Sequence, residues 1–438
     1  MGMTRHLLAL AALALALLVV PSAASANWLP IEELGTIEPS DQEARTAAND
    51  RGDAIVLWRD SRGIQVSVSK RGGPFGAARR VPGSKGGTSA GVDVNEDGRA
   101  IIWWREFVPE FRQRVKLVGL KIDGGFGKPR VVTPTSDYLT FDSVIGPGGR
   151  FAFLYTAGQR FRPVYARVAP PSGKLGRRIT LASGSTRSHD LWYVGNRPMI
   201  AYTQASDDYS RLRERQIGSG GTRTIANLPK HASLDLDTAS NGAQAALWTS
   251  GSTDSSVKRP LVAATRRAGR TFGKGQVLDV RVPPQEYDVA IARSGAASVA
   301  WREWNESTTE DGESPTPEYR PGRIITSYRP ARGVFGALRG FRPDEESAFV
   351  GALSVDVASS GYSVLSFGAR RFAGIQGRMY AATSNRGDEH EVTPITDFGD
   401  PGGLLTDAHI DERQRTVLGW IADRRVVARR GDFSVSQP

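Results

Sequence analysis

The chain has no cysteine among its 438 residues, so disulfides, thiolate chemistry and the commonest zinc ligand set are excluded. Histidine is almost as scarce. Four of the five lie beyond the first 26 residues, at His189, His231, His390 and His409, and no two form an i, i+4 pair or an HExxH string. Past residue 26 there is no apolar run long enough to cross a bilayer, and no stretch has convincing helical periodicity. The net charge of +11 comes from arginine spread along the chain rather than gathered in a stripe or tail. That distribution argues against a nucleic-acid partner and supports only weak attraction to anionic polymers.

The first 26 residues carry what the rest lacks. Arg5 and His6 precede an unbroken run from Leu7 to Val20, and Ala24-Ser25-Ala26 ends the segment. Basic, then apolar, then small residues is the secretory order, and the run is short for a span. It predicts a signal peptide over 1–26, a mature chain from Asn27, and a secreted or cell-envelope location with no membrane span after cleavage. A secreted chain of about 412 residues can bury enough surface to fold without disulfides.

What the sequence has in abundance is a repeat. DVNEDGRAIIWWRE (93–106), LDTASNGAQAALWTS (236–250), AIARSGAASVAWREW (290–304) and DVASSGYSVLSFGA (356–369) share one layout. A turn glycine stands six residues before an aromatic in six copies: Gly52 and Trp58, Gly98 and Trp104, Gly149 and Tyr155, Gly242 and Trp248, Gly295 and Trp301, Gly361 and Phe367. Asn196 before Tyr202 and Gln414 before Trp420 keep the spacing without the glycine. The eight aromatics are separated by 46, 51, 47, 46, 53, 66 and 53 residues, near the repeat length of four-stranded blades.

A second signal follows most aromatics. Gly73-Pro-Phe-Gly76, Gly125-Phe-Gly127, Gly173-Lys-Leu-Gly176, Thr271-Phe-Gly273 and Gly333-Val-Phe-Gly336 each sit between an alternating run and a short β-branched strand. The unit reads as strand a, glycine turn, strand b with its aromatic, strand c, a second glycine turn, and strand d. Residues 27–438 therefore predict one all-β domain, an eight-bladed β-propeller. The last unit lacks a fourth strand, and residues 29–38 carry a surplus one, with Ile37 lying 15 residues before Gly52 where Val81, Val132, Ile179 and Ile225 lie 17 before their turn positions. The N-terminal strand is expected to complete the last blade and to remove two free edges.

This organisation resembles exported bacterial propeller proteins of the broad WD40-like, TolB-like and sialidase-like grouping. The resemblance is one of repeat pattern, since the sialidase Asp-box and the Gly-His/Trp-Asp pair are absent.

Candidate chemistry is sparse. Gly87-Thr-Ser-Ala-Gly91 matches a nucleophile-elbow string but lacks the following helix, so it reads as a loop between blades. Asp93-Val-Asn-Glu-Asp-Gly98 half matches a calcium loop but has Ile101 where an acid is required, which favours a plain turn. More suggestive is Trp-Arg-acid at the end of strand b: Trp58-Arg59-Asp60, Trp104-Arg105-Glu106 and Trp301-Arg302-Glu303. Guanidinium groups can hold carboxylate or phosphate, paired acids can transfer protons, and Trp304 and Tyr319 could stack on sugar rings. Against this, an arginine beside an acid at a surface can simply neutralise it. The acidic, proline-containing insert 305–322 lengthens the sixth unit.

With no recurring catalytic constellation, the leading expectation is a monomeric, non-catalytic binding scaffold. It would need no cofactor or metal and would act on a wall or extracellular polysaccharide or another exported protein. The alternative is a secreted glycoside hydrolase or polysaccharide lyase acting on an anionic carbohydrate through Arg59, Arg105, Arg302 and the neighbouring acids. Both readings place the working surface on the face of the b–c loops.

Overall fold

A computed structural model describes residues 27–37, 44–137, 139–157, 163–170, 175–182, 186–205, 209–219, 221–230, 232–249, 260–278, 287–303, 323–342, 347–371, 377–395, 407–422 and 425–432. The leader and the 305–322 insert lie outside these residues. Eight antiparallel sheets follow one another in chain order. Blades one to seven span residues 44–80, 87–131, 139–182, 186–229, 234–278, 287–341 and 347–394, each ordered a-b-c-d. Blade eight takes strands a to c from Asp407–Ile410, Arg415–Ala422 and Arg425–Asp432.

The N-terminal segment completes blade eight, as the surplus strand foretold. Trp28 pairs with Gly431, and Glu32 to Thr36 run antiparallel to Ala428 to Arg425. Ile37 is buried against Val426 and Ala428 of blade eight and Trp58 of blade one.

The turn glycine has a single mechanical reason. In blades one, two, three, five, six and seven its N–H closes an i to i+3 turn between strands a and b, with φ between +70° and +98°. Residues with a Cβ pay roughly 1–2 kcal/mol for that conformation. Blade eight nevertheless puts Gln414 there at φ +64°. In blade four the left-handed residue is Gly195 rather than Asn196, in a two-residue turn between Val194 and Arg197. The second glycine also acts through the backbone. Gly76, Gly127, Gly176 and Gly336 each return an N–H to a strand-c carbonyl, at Val68, Gly119, Val168 and Tyr328.

All eight strand-b aromatics are buried. They do not form one continuous core. Eight separate apolar clusters fill the eight seams between neighbouring blades, the last joining blade eight to blade one. A ring divided in this way needs every seam filled, because a lone four-stranded sheet leaves both faces wet.

Candidate functional site

Strand a is the innermost strand of each blade, and its inner edge has no neighbouring strand to accept its N–H groups. Aspartates fill that need. Asp93 Oδ2 accepts the Ile145 N–H of blade three at 2.6 Å. Asp235 and Asp237 of blade five accept those of Val289 and Ile291 at 3.1 and 2.7 Å. Asp288 accepts Val355 N–H at 2.7 Å, and Asp356 accepts Ile410 N–H at 2.9 Å. Asp190 accepts the Thr238 hydroxyl. The carboxylates therefore stitch one blade's inner strand to the next.

Their burial makes the charged form costly. Asp93 and Asp237 are pushed up to about 7 and Asp142 to about 6, each chiefly by burial. Burial, followed by repulsion from neighbouring aspartates, raises Asp190 and Asp288 well above the usual carboxylate range. Asp235 and Asp356 are raised as well, again mainly by burial. Sequence reasoning missed this set, although a signal existed. Asp93, Asp237 and Asp356 stand eleven residues before Trp104, Trp248 and Phe367, and Asp142, Asp235 and Asp288 stand thirteen before their aromatics.

The a–b turns converge on the ring axis at one end of the channel. They enclose a recess of about 160 Å³ lined from blades one, two, five, six, seven and eight. Its titratable groups are Asp50, Glu96, Arg293, Asp356, His409, Asp411 and Glu412. Arg293 of blade six reaches towards Asp50 of blade one, Nη1 to Oδ2 being 3.9 Å. Burial pushes Asp50 up to about 7, helped by the Glu96 and Glu412 carboxylates and opposed by Arg293.

The wall of the recess is hydrogen-bonded from turn to turn. Asn49 Nδ2 donates to the Asn95 carbonyl at 2.8 Å, and Asn95 Nδ2 donates to Gly146 at 2.6 Å. Asn241 Nδ2 donates to the Arg293 carbonyl, and the Ser359 hydroxyl donates to Glu412 Oε1, both at 2.6 Å. His409 Nε2 donates to the Thr46 carbonyl at 3.1 Å. The hydrogen-bonded rim holds five acids and one guanidinium around a small opening.

The Trp-Arg-acid residues lie at the opposite end of strand b, away from this recess. Arg59 donates to the Gly87 carbonyl of blade two at 3.3 Å. Asp60 takes Arg62 at 2.9 and 2.7 Å and Gln65 at 2.9 Å. Burial opposes its ionisation, but these partners outweigh burial and hold its carboxyl below the ordinary range. Glu106 likewise takes Arg114 at 2.6 Å and Lys116 at 2.8 Å, which outweigh its burial and hold it low. Arg105 projects from the other face of the same strand, towards blade three, and Arg302 is buried within its strand. Glu303 occupies the strand position opposite Arg323, and Trp304 and Tyr319 lie outside the described residues. Both described acids are thus neutralised within their own blades.

The two motif-like strings have structural roles. Gly87 to Gly91 form the first part of strand a of blade two rather than an inter-blade loop, with a bulge between Thr88 and Ala90. In the calcium-like turn, Asp97 Oδ2 accepts the Gly148 N–H of blade three, so its acids serve the neighbouring blade. Among the described residues no three His, Asp or Glu side chains are placed to share a metal ion.

No family model matches the chain, and no curated protein matches it in sequence. Solved structures do. The β-propeller domain of the Trilobed protease from Pyrococcus furiosus aligns over 84% of this chain and 100% of its own, at 9% identity and a TM-score of 0.45. The BP39L lectin from Burkholderia pseudomallei aligns over 81% and 100%, at 9% identity and 0.49. A polysaccharide lyase, PL25 ulvan lyase, aligns over 92% and 95%, at 8% identity and 0.45. The similarity is one of β-propeller fold and carries no function across. No helix among the described residues is long and apolar enough to cross a membrane.

Proposed function

We propose that this chain is a non-catalytic binding propeller, exported by its leader, that holds a cationic group of its partner at the a–b-turn end of the channel. The supporting observation is that Arg293 already occupies the acidic opening, extended from blade six towards Asp50. The protein's own guanidinium stands in for the ammonium or guanidinium of a ligand. The partner class that fits is a basic peptide segment of another exported protein. The hydrolase or lyase alternative is less well supported, because Asp60 and Glu106 are each held ionised by two basic or amide partners.

Cation binding favours ionised Asp50, so affinity for a tri-lysine peptide should rise between pH 6 and pH 8. Asp50→Asn should weaken that binding about tenfold or more, and Arg293→Ala should strengthen it by vacating the opening. Titration calorimetry at pH 8 checks both. A peptide affinity indifferent to Asp50→Asn and Arg293→Ala would refute the reading.

A further inference from the structure

The seam between blades two and three contains a groove of about 500 Å³, larger than the recess on the axis. Its origin is one missing side chain. Gly119 faces Ile101 across strands b and c of blade two. The same register position holds Val68 in blade one, Val168 in three and Gln216 in four. It holds Thr265, Tyr328, Thr383 and Arg430 in blades five to eight. Only blade two has glycine there. A Cβ built on Gly119 would meet nothing nearer than the Ala100 carbonyl oxygen at 4.0 Å, so the space is open. The conformation does not demand glycine either, since Gly119 is absent from the positive-φ residues.

The lining is one-sided in charge. Ile101, Ile145 and Phe151 form a buried apolar floor, and Arg99, Lys121 and Arg130 line the groove without any acidic residue. The Arg130 guanidinium lies over the Phe151 ring, 5.2 Å from its centre. Arg99 and Lys121 are directly opposite each other on strands b and c. Two like charges so placed repel. Neither has a carboxylate within ion-pair distance among the described residues. An anion between them would turn that repulsion into attraction, and guanidinium binds carboxylate through paired donors. Pockets of this size, largely apolar with a few convergent polar groups, suit small molecules.

We propose that the Gly119 groove is a binding site for a small apolar carboxylate, its hydrocarbon part on Ile101, Ile145 and Phe151 and its carboxylate between Arg99 and Lys121. The site is independent of the channel recess, so variants at Asp50 and Arg293 leave it intact.

The test uses the full exported chain and the fluorescence of 8-anilinonaphthalene-1-sulfonate, an aromatic probe with one anionic group. The wild type should bind one equivalent, and decanoate or 3-phenylpropionate should displace it where decanol does not. Gly119→Leu refills the seam as valine does in blades one and three, and should weaken probe binding at least tenfold without lowering the melting temperature. Arg99→Gln/Lys121→Gln leaves the space open and should weaken decanoate several-fold while decanol stays ineffective. Unchanged probe affinity in Gly119→Leu, or displacement by decanol equal to that by decanoate, would overturn the proposal. The relative strength of decanoate and 3-phenylpropionate then separates acyl from aryl ligands.

Discussion

The seams that join blades five to eight and the seam where the two chain ends meet are held by opposite chemistry. In the former, buried aspartates accept the next blade's inner N–H groups, from Asp235 and Asp237 through Asp288 to Asp356. At the closure the donors are arginines. Arg415 binds Asp411 at 2.7 Å and the carbonyls of Arg71 and Arg51 in blade one at 2.6 and 2.7 Å. Arg430 binds Glu32 at 2.6 Å and the Gly72 carbonyl. Consecutive blades are adjacent through the chain itself and need only a light polar stitch. The ends lack that continuity, and the closure relies on paired strands, part-buried ion pairs and the Ile37 cluster.

The comparison breaks most visibly if the closure is removed. Deleting residues 27–38 strips the last sheet of its fourth strand and leaves Arg430 without Glu32. The expected loss is on the order of 5 kcal/mol, seen as a sharply lower denaturation midpoint. An unchanged midpoint would deny the N-terminal strand its role. Arg415→Ala removes two carbonyl contacts to blade one and leaves Asp411, 5% exposed, without its cation. A loss of about 3–5 kcal/mol should follow in urea titration.

Acidity sharpens the contrast next. Asp93 and Asp237 at about 7 and Asp142 at about 6 bind protons more tightly in the folded chain than in the unfolded one. Their contribution is fully present below about pH 4 and is lost as pH rises through 6 to 7. Stability should therefore fall by a few kcal/mol from pH 5 to pH 8, and Asp237→Asn should flatten the slope. A midpoint rising over that range would show that ionised aspartate is the favoured form. The smallest effect is expected at the turn of blade eight. Gln414→Gly relieves the left-handed backbone and should stabilise by about 0.5–1 kcal/mol in the same titration.

The repeat was legible because its constraints are local. A positive φ demands glycine at Gly52 or Gly361, and a filled seam demands an aromatic at Trp58 or Phe367, so spacing alone exposes eight units. The surplus strand ending at Ile37 was legible for the same reason. The blade-four turn was misplaced by one residue, because Asn196 and Gly195 are both suited to a turn and only the hairpin register distinguishes them. The inner aspartates escaped notice because alternating Asp and apolar residues, as in Leu234-Asp-Leu-Asp-Thr238, ordinarily mean a solvated strand face. Here that face packs against the inner strand of the next blade. The opening on the axis is made by Asp50, Glu96, Arg293 and Glu412 from four turns far apart in sequence, which only ring closure brings together. The Arg59 and Arg105 motifs stood out because they recur, yet their acids answer to Arg62, Arg114 and Lys116 nearby.

Amide hydrogen exchange at pH 5 and pH 8, corrected for intrinsic rates, tests the two kinds of seam in one molecule. The Ile145 and Ile291 amides, which donate to Asp93 and Asp237, should lose protection at the higher pH, whereas the Leu29 amide, bonded to the Arg430 carbonyl, should keep its own. Equal changes at all three, or greater protection of Ile145 and Ile291 at pH 8, would contradict the assignment of proton-holding carboxyls to the inner seams.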